Sequence, residues 1–285
     1  MGLTAVTGLG AVITLLSLLG PRTQGTELLL SLWGVMTMPA LVLTTVAFVV
    51  RARWASIFGL VSSGLMLVGT LPHLTTTAAI PEPAHTLVWS NVLGKPDAIY
   101  NTIAYAEDMG ADLVLVGEWP KGAPVELPEG WRLVSASCRG QPVTALSRAS
   151  HMLCERPSTD RRGSVVLTLG DTTVVATHAS APFVPNGVPN RALHLEEAAT
   201  LAAARTPAVI VGDFNTVPWS PAFQPLQKAG FERAPIGAKA TWLGKHHTTG
   251  LAIDHAFGRD VDLEMRVGPH TGSDHYPILV RINPA

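Results

Sequence analysis

Carboxylate, amide and imidazole side chains recur at the ends of apolar, strand-like stretches in the last two thirds of this sequence. The positions are Asn91, Glu118, His178, Asp213, Asn215, Asp254, Asp274 and His275. A single acid at a strand end most often caps a turn, but this repeated set indicates a shared site. Hard oxygen ligands such as Glu118 suit Mg²⁺, and imidazoles with carboxylate partners suit the activation of water. The set therefore favours metal-assisted attack of water on a phosphate ester.

Several other hydrolytic and nucleotide-binding motifs are missing from the sequence. It has no G-x-S-x-G turn, no phosphate-binding P-loop and no H-E-x-x-H metal motif. The pair His246-His247 has neither nearby cysteines nor helical i,i+4 spacing, so it does not favour zinc. Oxygen-ligated metal chemistry remains the best match to the polar set.

The polar positions follow a predicted alternation of strands and helices. Strands are predicted at 86–92, 112–116, 165–169, 172–177, 208–211, 251–257 and 277–282, and helices at 98–109, 191–205 and 221–229. Gly170-Asp171 separates two β-rich runs and predicts a tight hairpin. The uninterrupted apolar run at 113–116 is typical of a strand that is buried on both faces. The pattern indicates a mixed, layered α/β domain.

Six short segments occur in a distinctive order along this domain. They are Ser90-Asn91-Val92-Leu93, Leu115-Val116-Gly117-Glu118, Thr177-His178, Gly212-Asp213-Phe214-Asn215, Ile253-Asp254-His255 and Ser273-Asp274-His275-Tyr276-Pro277. This order resembles that of the endonuclease/exonuclease/phosphatase superfamily, which includes DNase I, abasic-site endonucleases, neutral sphingomyelinases and inositol-polyphosphate 5-phosphatases. The resemblance extends over residues 86–282. Residues 216–221 and Thr241-Trp242 also resemble a bacterial branch that is often membrane-anchored.

The resemblance implies a four-layer α/β sandwich of the DNase I type, with its site at one end of two packed sheets. The implied activity is that of a metal-dependent phosphoric ester hydrolase. Glu118 would be the chief ligand of Mg²⁺, or of Mn²⁺ as the alternative ion, with help from Asn91 and Asp274.

The resemblance also implies a role for each of the remaining site residues. His275 would be the general base that takes a proton from the attacking water, and Asp254 would hold its ring. Asp213 and Asn215 would bind and polarise the phosphate and assist the leaving oxygen. His178 would donate a hydrogen bond to a phosphate oxygen in the transition state.

The chain departs from the family pattern at identifiable positions. The family commonly has Gln before its metal-binding Glu, whereas this chain has Gly117. No carboxylate is evident to orient His178, and Gln141 is the candidate substitute. Arg191 is a candidate contact for the substrate phosphate, and a salt bridge with Glu196 or another acid is the alternative. Three histidines are expected to have a structural role or to lie at the protein surface: His194, His255 and His270.

Three apolar runs without a charged residue occupy the first quarter of the chain, at 3–19, 28–50 and 55–71. At 1.5 Å per residue these lengths give helices of about 25 to 35 Å, comparable to the hydrocarbon core of a bilayer. We predict three transmembrane helices within residues 1–72, a linker at 73–85 and the catalytic domain at 86–285. A cleaved signal peptide is the alternative for the first run, but no basic residue precedes the run, and Pro21-Arg22-Thr23 after it does not resemble a small-residue cleavage site.

The charges between the apolar runs predict the orientation of the chain in the membrane. Arg51 and Arg53 lie between the second and third runs, while Arg22 and Glu27 nearly cancel between the first and second. The positive-inside tendency places the Arg51–Arg53 loop in the cytoplasm. We therefore predict a multi-pass protein of the cell membrane whose catalytic domain is extracytoplasmic.

The composition agrees with this division of the chain. Only 14% of the 285 residues are charged, and the mean hydropathy is +0.29, which excludes intrinsic disorder and a simple cytosolic globule. Three of the 20 basic and one of the 21 acidic residues precede residue 73, so the linker and the catalytic domain together have a net charge of about −3. This charge disfavours bulk binding of nucleic acid. Cys138 and Cys154 could form a disulfide in an oxidising exterior or remain as buried thiols.

Three functions are compatible with the sequence. The first is a membrane-anchored, nuclease-like phosphodiester hydrolase. The second is a phosphodiesterase acting on phospholipid or lipid-linked headgroups, as sphingomyelinases do. The third is a catalytically inactive binding module or a subunit of a membrane complex. The expected partners are therefore a phosphate-ester substrate, either nucleic acid or a lipid headgroup, and the lipid bilayer.

Overall fold

The computed structural model describes residues 2–20, 22–120, 125–134, 143–148, 154–155, 164–245 and 249–285. Cys138, Gln141 and the pair His246-His247 lie outside these residues, so the disulfide and the proposed partner of His178 stay predictions. The N-terminal part consists of four helices: α1 (Gly2–Leu19), α2 (Gln24–Ser31), α3 (Trp33–Val49) and α4 (Arg53–Thr70).

The apolar helices differ from the three predicted spans at one place. Helices α1 and α4, the latter continued by a 3₁₀ turn to Leu74, are each long and apolar enough to cross a membrane. The predicted middle span, 28–50, is instead divided between α2 and α3, which meet at an angle of 63°. Two candidate spans are therefore present in the described part of the chain, and a third if the bent pair crosses as one unit.

A side chain from the catalytic domain lies at the break between α2 and α3. The indole Nε1 of Trp219 donates a hydrogen bond to the Leu30 carbonyl at 2.7 Å. The Trp219 ring also lies against Gly34, where a Cβ atom would be 2.7 Å from the ring. Trp219 therefore packs at the bend, which forms part of the contact between the helices and the domain.

The apolar helices contact one another through small and hydroxyl-bearing side chains. The buried ones include Thr7, Thr14, Ser17, Thr44, Ser56, Ser62 and Ser63. Their hydroxyl groups donate to carbonyls of the preceding turn, as Ser63 does to Gly59 at 2.7 Å. Small interfacial residues let helix backbones approach closely and are typical of helices that associate in a membrane.

The described residues of the remaining chain form fourteen strands. They are β1 (His85–Asn91), β2 (Leu113–Gly117), β3 (Arg132–Leu133), β4 (Val143–Ser147), β5 (Cys154–Glu155), β6 (Ser164–Leu169), β7 (Thr172–His178), β8 (Ala208–Asp213), β9 (Glu232–Arg233), β10 (Trp242–Lys245), β11 (Thr249–Leu251), β12 (Asp254–Arg259), β13 (Val261–Val267) and β14 (Ile278–Pro284). The first sheet has the order β13-β14-β1-β2-β4-β3, the second has the order β5-β6-β7-β8-β12-β9, and β10 and β11 form a separate ribbon. Within the sheets only β1–β2 and β7–β8 are parallel among the described pairs.

The alternation of side chains along the strands builds the layers. Leu87 and Trp89 of β1 share the core between the two sheets with Val209 of β8. Val88 faces outward into a second core under a helix, and Ile210 does the same on the other sheet. These outer helices are α5 (Pro96–Asp108) on the first sheet, and α6 (Gly187–Ala203) and α7 (Gln224–Lys228) on the second. The arrangement agrees with the predicted four-layer α/β sandwich.

The predicted linker at 73–85 lies against the domain rather than extending freely from the membrane. The Ile80 amide donates to Glu264 Oε2 at 2.7 Å. The Met265 amide donates to Thr77 Oγ1 at 3.0 Å. These bonds hold the segment along the edge of the first sheet, so the domain is tied close to the apolar helices.

His255 is buried in the core beneath α6 and α7. Its ring packs edge-on against Phe214 and Phe223, and its Nε2 pairs with the Thr216 carbonyl at 2.9 Å. Burial, together with the charge of Arg233, lowers the pKa of His255 to about 3. The ring is therefore neutral in the folded protein at physiological pH, which agrees with the structural role expected for it.

We expect His255 to make the protein sensitive to acid. Between pH 6.5 and 3 this histidine is protonated in the unfolded chain but neutral in the folded chain. The free energy of unfolding therefore falls as the pH decreases towards 3. At pH 5 the expected loss is about 2 kcal/mol relative to neutral pH. Denaturant unfolding of His255→Gln, which can still donate to Thr216, should show a correspondingly smaller loss between pH 7.5 and 5. If both proteins lost the same free energy of unfolding between pH 7.5 and 5, His255 would not be the source of the acid sensitivity.

Candidate active site

The predicted site residues lie where strands of the two sheets end side by side. In the first sheet, Asn91 ends β1 and pairs with the residue immediately before Glu118. In the second sheet, His178 and Asp213 end the parallel strands β7 and β8 and pair with each other. Asp254 begins the antiparallel strand β12 opposite Asp213. The carboxyl ends of both parallel pairs therefore point to the same end of the sandwich.

The glycine of Gly-Asp-Phe-Asn allows β7 and β8 to approach at this end. A Cβ atom at Gly212 would lie 1.8 Å from the Thr177 carbonyl oxygen. Only glycine avoids this clash. The close approach leaves the Nε2 atom of His178 3.5 Å from Asp213 Oδ2.

His275 and Asp254 form a buried pair beside Asp213. His275 Nδ1 lies 2.9 Å from Asp254 Oδ2, and the other Asp254 oxygen accepts a hydrogen bond from Trp89 Nε1 at 2.8 Å. The His275 amide donates to Ser273 Oγ at 3.2 Å. With Nδ1 engaged, Nε2 is directed towards Asp213 Oδ2, 3.8 Å away. This arrangement fits a ring that is held at one nitrogen and exchanges a proton at the other.

The turn after β8 orients the second phosphate-binding candidate. The Asn215 amide donates to Asp213 Oδ1 at 2.8 Å. Its side-chain Nδ2 donates to the Ala179 carbonyl at 2.9 Å. Asn215 has a φ of 50°, in the left-handed region that asparagine tolerates better than most residues. The Asp-x-Asn spacing therefore creates a turn that fixes both side chains.

Asn91 contacts Glu118 at the end of the first sheet and also reaches Asp213 of the second sheet. Asn91 Nδ2 donates to Glu118 Oε1 at 2.9 Å and to Asp213 Oδ2 at 3.2 Å. Its Oδ1 atom accepts from the Leu93 amide at 3.1 Å. In this structure Asn91 is thus a donor to two carboxylates, whereas the family resemblance implies an oxygen ligand. Glu118 has a φ of 54°, and its Oε1 lies 3.6 Å from His178 Nε2.

The environment of the site raises the pKa values of two of its groups. Burial and the neighbouring Asp254 raise the pKa of Asp213 to about 6, although His275 and His178 oppose this. Burial alone would lower the pKa of His275, but Asp254, Asp213 and Asp274 together raise it to about 9. An excess of negative charge therefore keeps the imidazole protonated at neutral pH unless positive charge is added nearby.

These groups form the floor of an open cavity of about 600 Å³. Six predicted site residues line it: Glu118, His178, Asp213, Asn215, Asp274 and His275. Asn91 and Asp254 are buried behind the floor, where they are 1% and 0% exposed. The walls include Leu93, Phe183, Val184 and Trp242. The structure thus brings all eight metal and catalytic candidates together, six at the surface of the cavity and two supporting them.

Arg191 occupies a different place from the one suggested for a phosphate contact. Its side chain is 2% exposed, with Nη2 2.6 Å from Glu27 Oε2 and Nη1 donating to the Asn215 carbonyl at 2.8 Å. It does not line the cavity. The salt-bridge alternative therefore corresponds to the structure, with Glu27 rather than Glu196 as the partner.

A family comparison agrees with the geometry. A sequence profile described as the Endonuclease/Exonuclease/phosphatase family matches residues 89–275, which include every catalytic and metal candidate. The chain belongs to this family. Its members are hydrolases that act on phosphoesters. A search of curated proteins found no significant match.

Solved structures confirm the fold of this endonuclease/exonuclease/phosphatase family member. The 3'-5' exonuclease NExo from Neisseria meningitidis superposes with a TM-score of 0.55 and 19% sequence identity, covering 70% of this chain and 99% of its own. A NExo 3' phosphatase from Neisseria, bound to a product DNA hairpin, gives 0.54 and 19%, covering 70% and 100%. The endonuclease domain of TRAS1, a telomere-specific non-LTR retrotransposon, gives 0.53 and 16%, covering 71% and 99%.

The donor set of this family member fits a divalent cation. Three carboxylates line the cavity (Glu118, Asp213 and Asp274), and no Lys or Arg does so among the described residues. The tightest cluster of potential ligand atoms joins Asp213, Asp254 and His275 within 4.8 Å. Asp254 is fully buried and does not line the cavity, however, whereas Glu118 and Asp274 do line it and are better placed to hold an ion.

Two tryptophans and one histidine contribute to the site in ways that the sequence did not indicate. Trp89 bonds Asp254, and Trp242 Nε1 donates to Asp274 Oδ2 at 3.0 Å. His194 was expected to be structural or superficial, yet it lies in the cavity wall and accepts from the Ser180 amide at 3.3 Å. For Trp89 the available signal was its inward position on β1, two residues before Asn91.

Proposed function

We propose that this family member is a membrane-anchored phosphoesterase that uses Mg²⁺, or alternatively Mn²⁺, to hydrolyse phosphodiesters outside the cytoplasm. The observation that supports it most strongly is the convergence of His275, Asp213, His178 and Glu118 on one cavity floor. The neighbours named as exonuclease and endonuclease favour a nucleic acid as the phosphodiester.

In the proposed reaction, the protein groups divide the work of proton transfer and charge stabilisation. His275 Nε2 takes a proton from the attacking water, while Asp254 holds Nδ1 and stabilises the imidazolium that forms. Asn215 and His178 offer hydrogen bonds to the phosphate oxygens as negative charge develops. Glu118 and Asp274 would hold a divalent cation, which would supply Lewis-acid stabilisation of that charge. Its positive charge would also favour the neutral, basic form of His275.

The proposed location follows from the apolar helices and their flanking charges. Helices α1 and α4 are long enough to span a bilayer. Arg53 is the first residue of α4, and Arg51 lies two residues before it. The positive-inside tendency directs this end of the helices to the cytoplasm. The catalytic domain follows α4 at the opposite end, so we place it outside. Accessibility of a cysteine introduced at Asp260 to a membrane-impermeant maleimide in intact cells tests this orientation.

Removal of the metal provides the most direct test of the activity. We expect full-length protein to hydrolyse bis-p-nitrophenyl phosphate or plasmid DNA with Mg²⁺ and to lose at least about 100-fold in rate with EDTA. Glu118→Gln should require a much higher Mg²⁺ concentration for half-maximal rate, because it removes a charged ligand. Asp260→Asn is the matched control, since its carboxylate is exposed on a turn beyond β12 and should leave the rate unchanged. Metal binding without hydrolysis of any phosphate ester would favour a binding module instead.

A second candidate substrate is supported by the walls of the cavity. Leu93, Phe183 and Val184 line the opening and are 43%, 55% and 41% exposed. DNA is a polyanion that basic side chains normally bind, whereas apolar walls suit the glycerol or ceramide part of a lipid. A phospholipid or lipid-linked headgroup is therefore the alternative substrate.

The two substrates can be separated by changing the cavity walls. We expect Phe183→Ser/Val184→Ser to lower hydrolysis of phospholipid in vesicles by about tenfold or more if lipid is the substrate, because apolar contact with the lipid is lost. Hydrolysis of the soluble p-nitrophenyl diester by the same variant should stay within about twofold. Cleavage of DNA but not of phospholipid would assign the protein as a nuclease.

A further inference from the structure

A buried ion pair joins the apolar helices to the catalytic domain. Glu27, in the first turn of α2, is 2% exposed, and so is Arg191 on α6. Arg191 Nη2 lies 2.6 Å from Glu27 Oε2. Separating two such groups leaves an uncompensated buried charge, so the pair holds α2 and α6 together strongly once formed.

The other branch of the same guanidinium reaches the catalytic turn. Arg191 Nη1 donates to the Asn215 carbonyl oxygen at 2.8 Å. The amide and side chain of Asn215 are bonded to Asp213 and Ala179, so this bond fixes the third polar group of the residue. A planar guanidinium can hold both partners in a fixed geometry, which an ammonium group cannot do.

A second bond joins the same loop to α2 a few residues later. Trp219 Nε1 donates to the Leu30 carbonyl at 2.7 Å, where α2 ends. The segment from Asp213 to Trp219 is therefore held from two sides. The domain holds it through Ala179. Helix α2 holds it through the Leu30 carbonyl and through Glu27, which binds Arg191. Both helix-side contacts come from α2, the short helix that breaks the predicted middle span.

We propose that α2 is part of the catalytic unit and that Arg191, held by Glu27, is a positioning residue for Asn215. The proposal rests on the proposed phosphoesterase function, in which Asn215 contacts the phosphate. It explains why an arginine near the site is turned away from the cavity. It also implies that the apolar helices do more than anchor the domain, since they complete the hydrogen bonding of a catalytic turn.

The test compares variants of the full-length protein in lipid nanodiscs. Arg191→Met removes both bonds, and we expect kcat on bis-p-nitrophenyl phosphate to fall by about 10- to 100-fold, with a smaller change in KM. Glu27→Gln retains an acceptor for Arg191 and should lose less. Arg281→Met is the matched control, because it also removes an arginine from a buried acid, Glu264, far from the cavity. Its kcat should stay within about twofold.

A charge swap separates positioning from simple stabilisation. Glu27→Arg/Arg191→Glu restores opposite charges between α2 and α6, but a glutamate at 191 cannot donate to the Asn215 carbonyl. We expect the swap to recover most of the thermal stability that Arg191→Met loses, with kcat remaining at least about tenfold below wild type. Recovery of stability and kcat together would overturn the positioning role. So would an unchanged kcat in Arg191→Met.

Hydrogen–deuterium exchange gives a readout that needs no substrate. We expect Arg191→Met to speed exchange of the peptide containing residues 213–219 by about tenfold or more, while peptides from β13 and β14 stay unchanged. Unchanged exchange at 213–219 would overturn the proposal even if the protein is active. If wild type hydrolyses no phosphate ester, the proposed function fails, while the exchange experiment still decides whether α2 orders the Asn215 turn.

Discussion

Replacing His275 with alanine is expected to reduce kcat on a phosphodiester by about 10³- to 10⁴-fold. Its Nδ1 is held by Asp254 at 2.9 Å, and its Nε2 is directed to the cavity floor near Asp213. The described residues that line the cavity include one other histidine close to these carboxylates, His178, but its Nε2 lies between Glu118 and Asp213. His178 therefore cannot take over as a base without leaving both carboxylates. Steady-state kinetics of the full-length protein at saturating Mg²⁺ measure the loss.

A matched histidine control distinguishes loss of chemistry from loss of fold. His85 begins β1 and Asn91 ends it, so His85 lies about 20 Å from the site along the strand. His85→Gln should keep kcat within about twofold, and His275→Ala should keep its thermal unfolding temperature in the presence of Mg²⁺. A His275→Ala protein that turns over at the wild-type rate would refute the base assignment.

Asp254→Asn is expected to lower kcat by a similar factor, about 10³- to 10⁴-fold, without changing the shape of the site. Both Asp254 oxygens are acceptors, one for Trp89 Nε1 and one for His275 Nδ1. Asparagine has only one such oxygen, so its NH₂ group must face one of the two donors. If the oxygen stays with the tryptophan, the NH₂ group faces Nδ1 and forces the imidazole proton onto Nε2. The ring then cannot accept a proton from water.

Removing the competing donor should restore part of the activity. In Trp89→Phe/Asp254→Asn the amide is free to turn its oxygen towards His275 Nδ1. We expect the double variant to be about tenfold or more faster than Asp254→Asn, a coupling that a double-mutant cycle detects directly. Trp89→Phe alone should lose less than about tenfold, because Asp254 still accepts from His275. A double variant no faster than Asp254→Asn would show that Trp89 does not control the orientation of residue 254.

Trp89 also accounts for one departure from the family sequence. A Cβ atom at Gly117 would lie 3.0 Å from the Trp89 ring. The indole therefore fills the space in which a larger residue before Glu118 would place its side chain. Gly117 on β2 therefore leaves room for the indole of Trp89 on the neighbouring strand β1.

Much of the sandwich could be predicted from the sequence because its information is local. Long strands buried on both faces are continuous apolar runs, so β1, β2, β7 and β8 were predicted within a few residues of their bounds. The hairpin at Gly170-Asp171 was predicted from turn chemistry and is confirmed by the pairing of Leu169 with Thr172. Strand β13 was not predicted, although its apolar and polar side chains alternate as in a half-buried strand. The two-residue edge strands were not predicted because they are too short to show a period.

The sequence by itself determined which residues assemble at the site. Each candidate follows or precedes an apolar strand, and parallel strands that end together bring their following residues together. Glu118, His178, Asp213, Asn215, Asp274 and His275 line one cavity as this argument requires. The family membership and the four layers follow from the same motifs.

Only the tertiary structure decided how these residues are held. The partner of Arg191 is Glu27 rather than a neighbour on its helix, the partner of Asp254 is Trp89, and Asn91 donates to carboxylates. At the break in the second apolar run, the Leu30 carbonyl accepts a hydrogen bond from Trp219, which lies far along the chain. These partners are determined by the packing of elements that are distant in sequence. Periodicity and motif spacing describe local patterns only, so they do not predict which residues become partners.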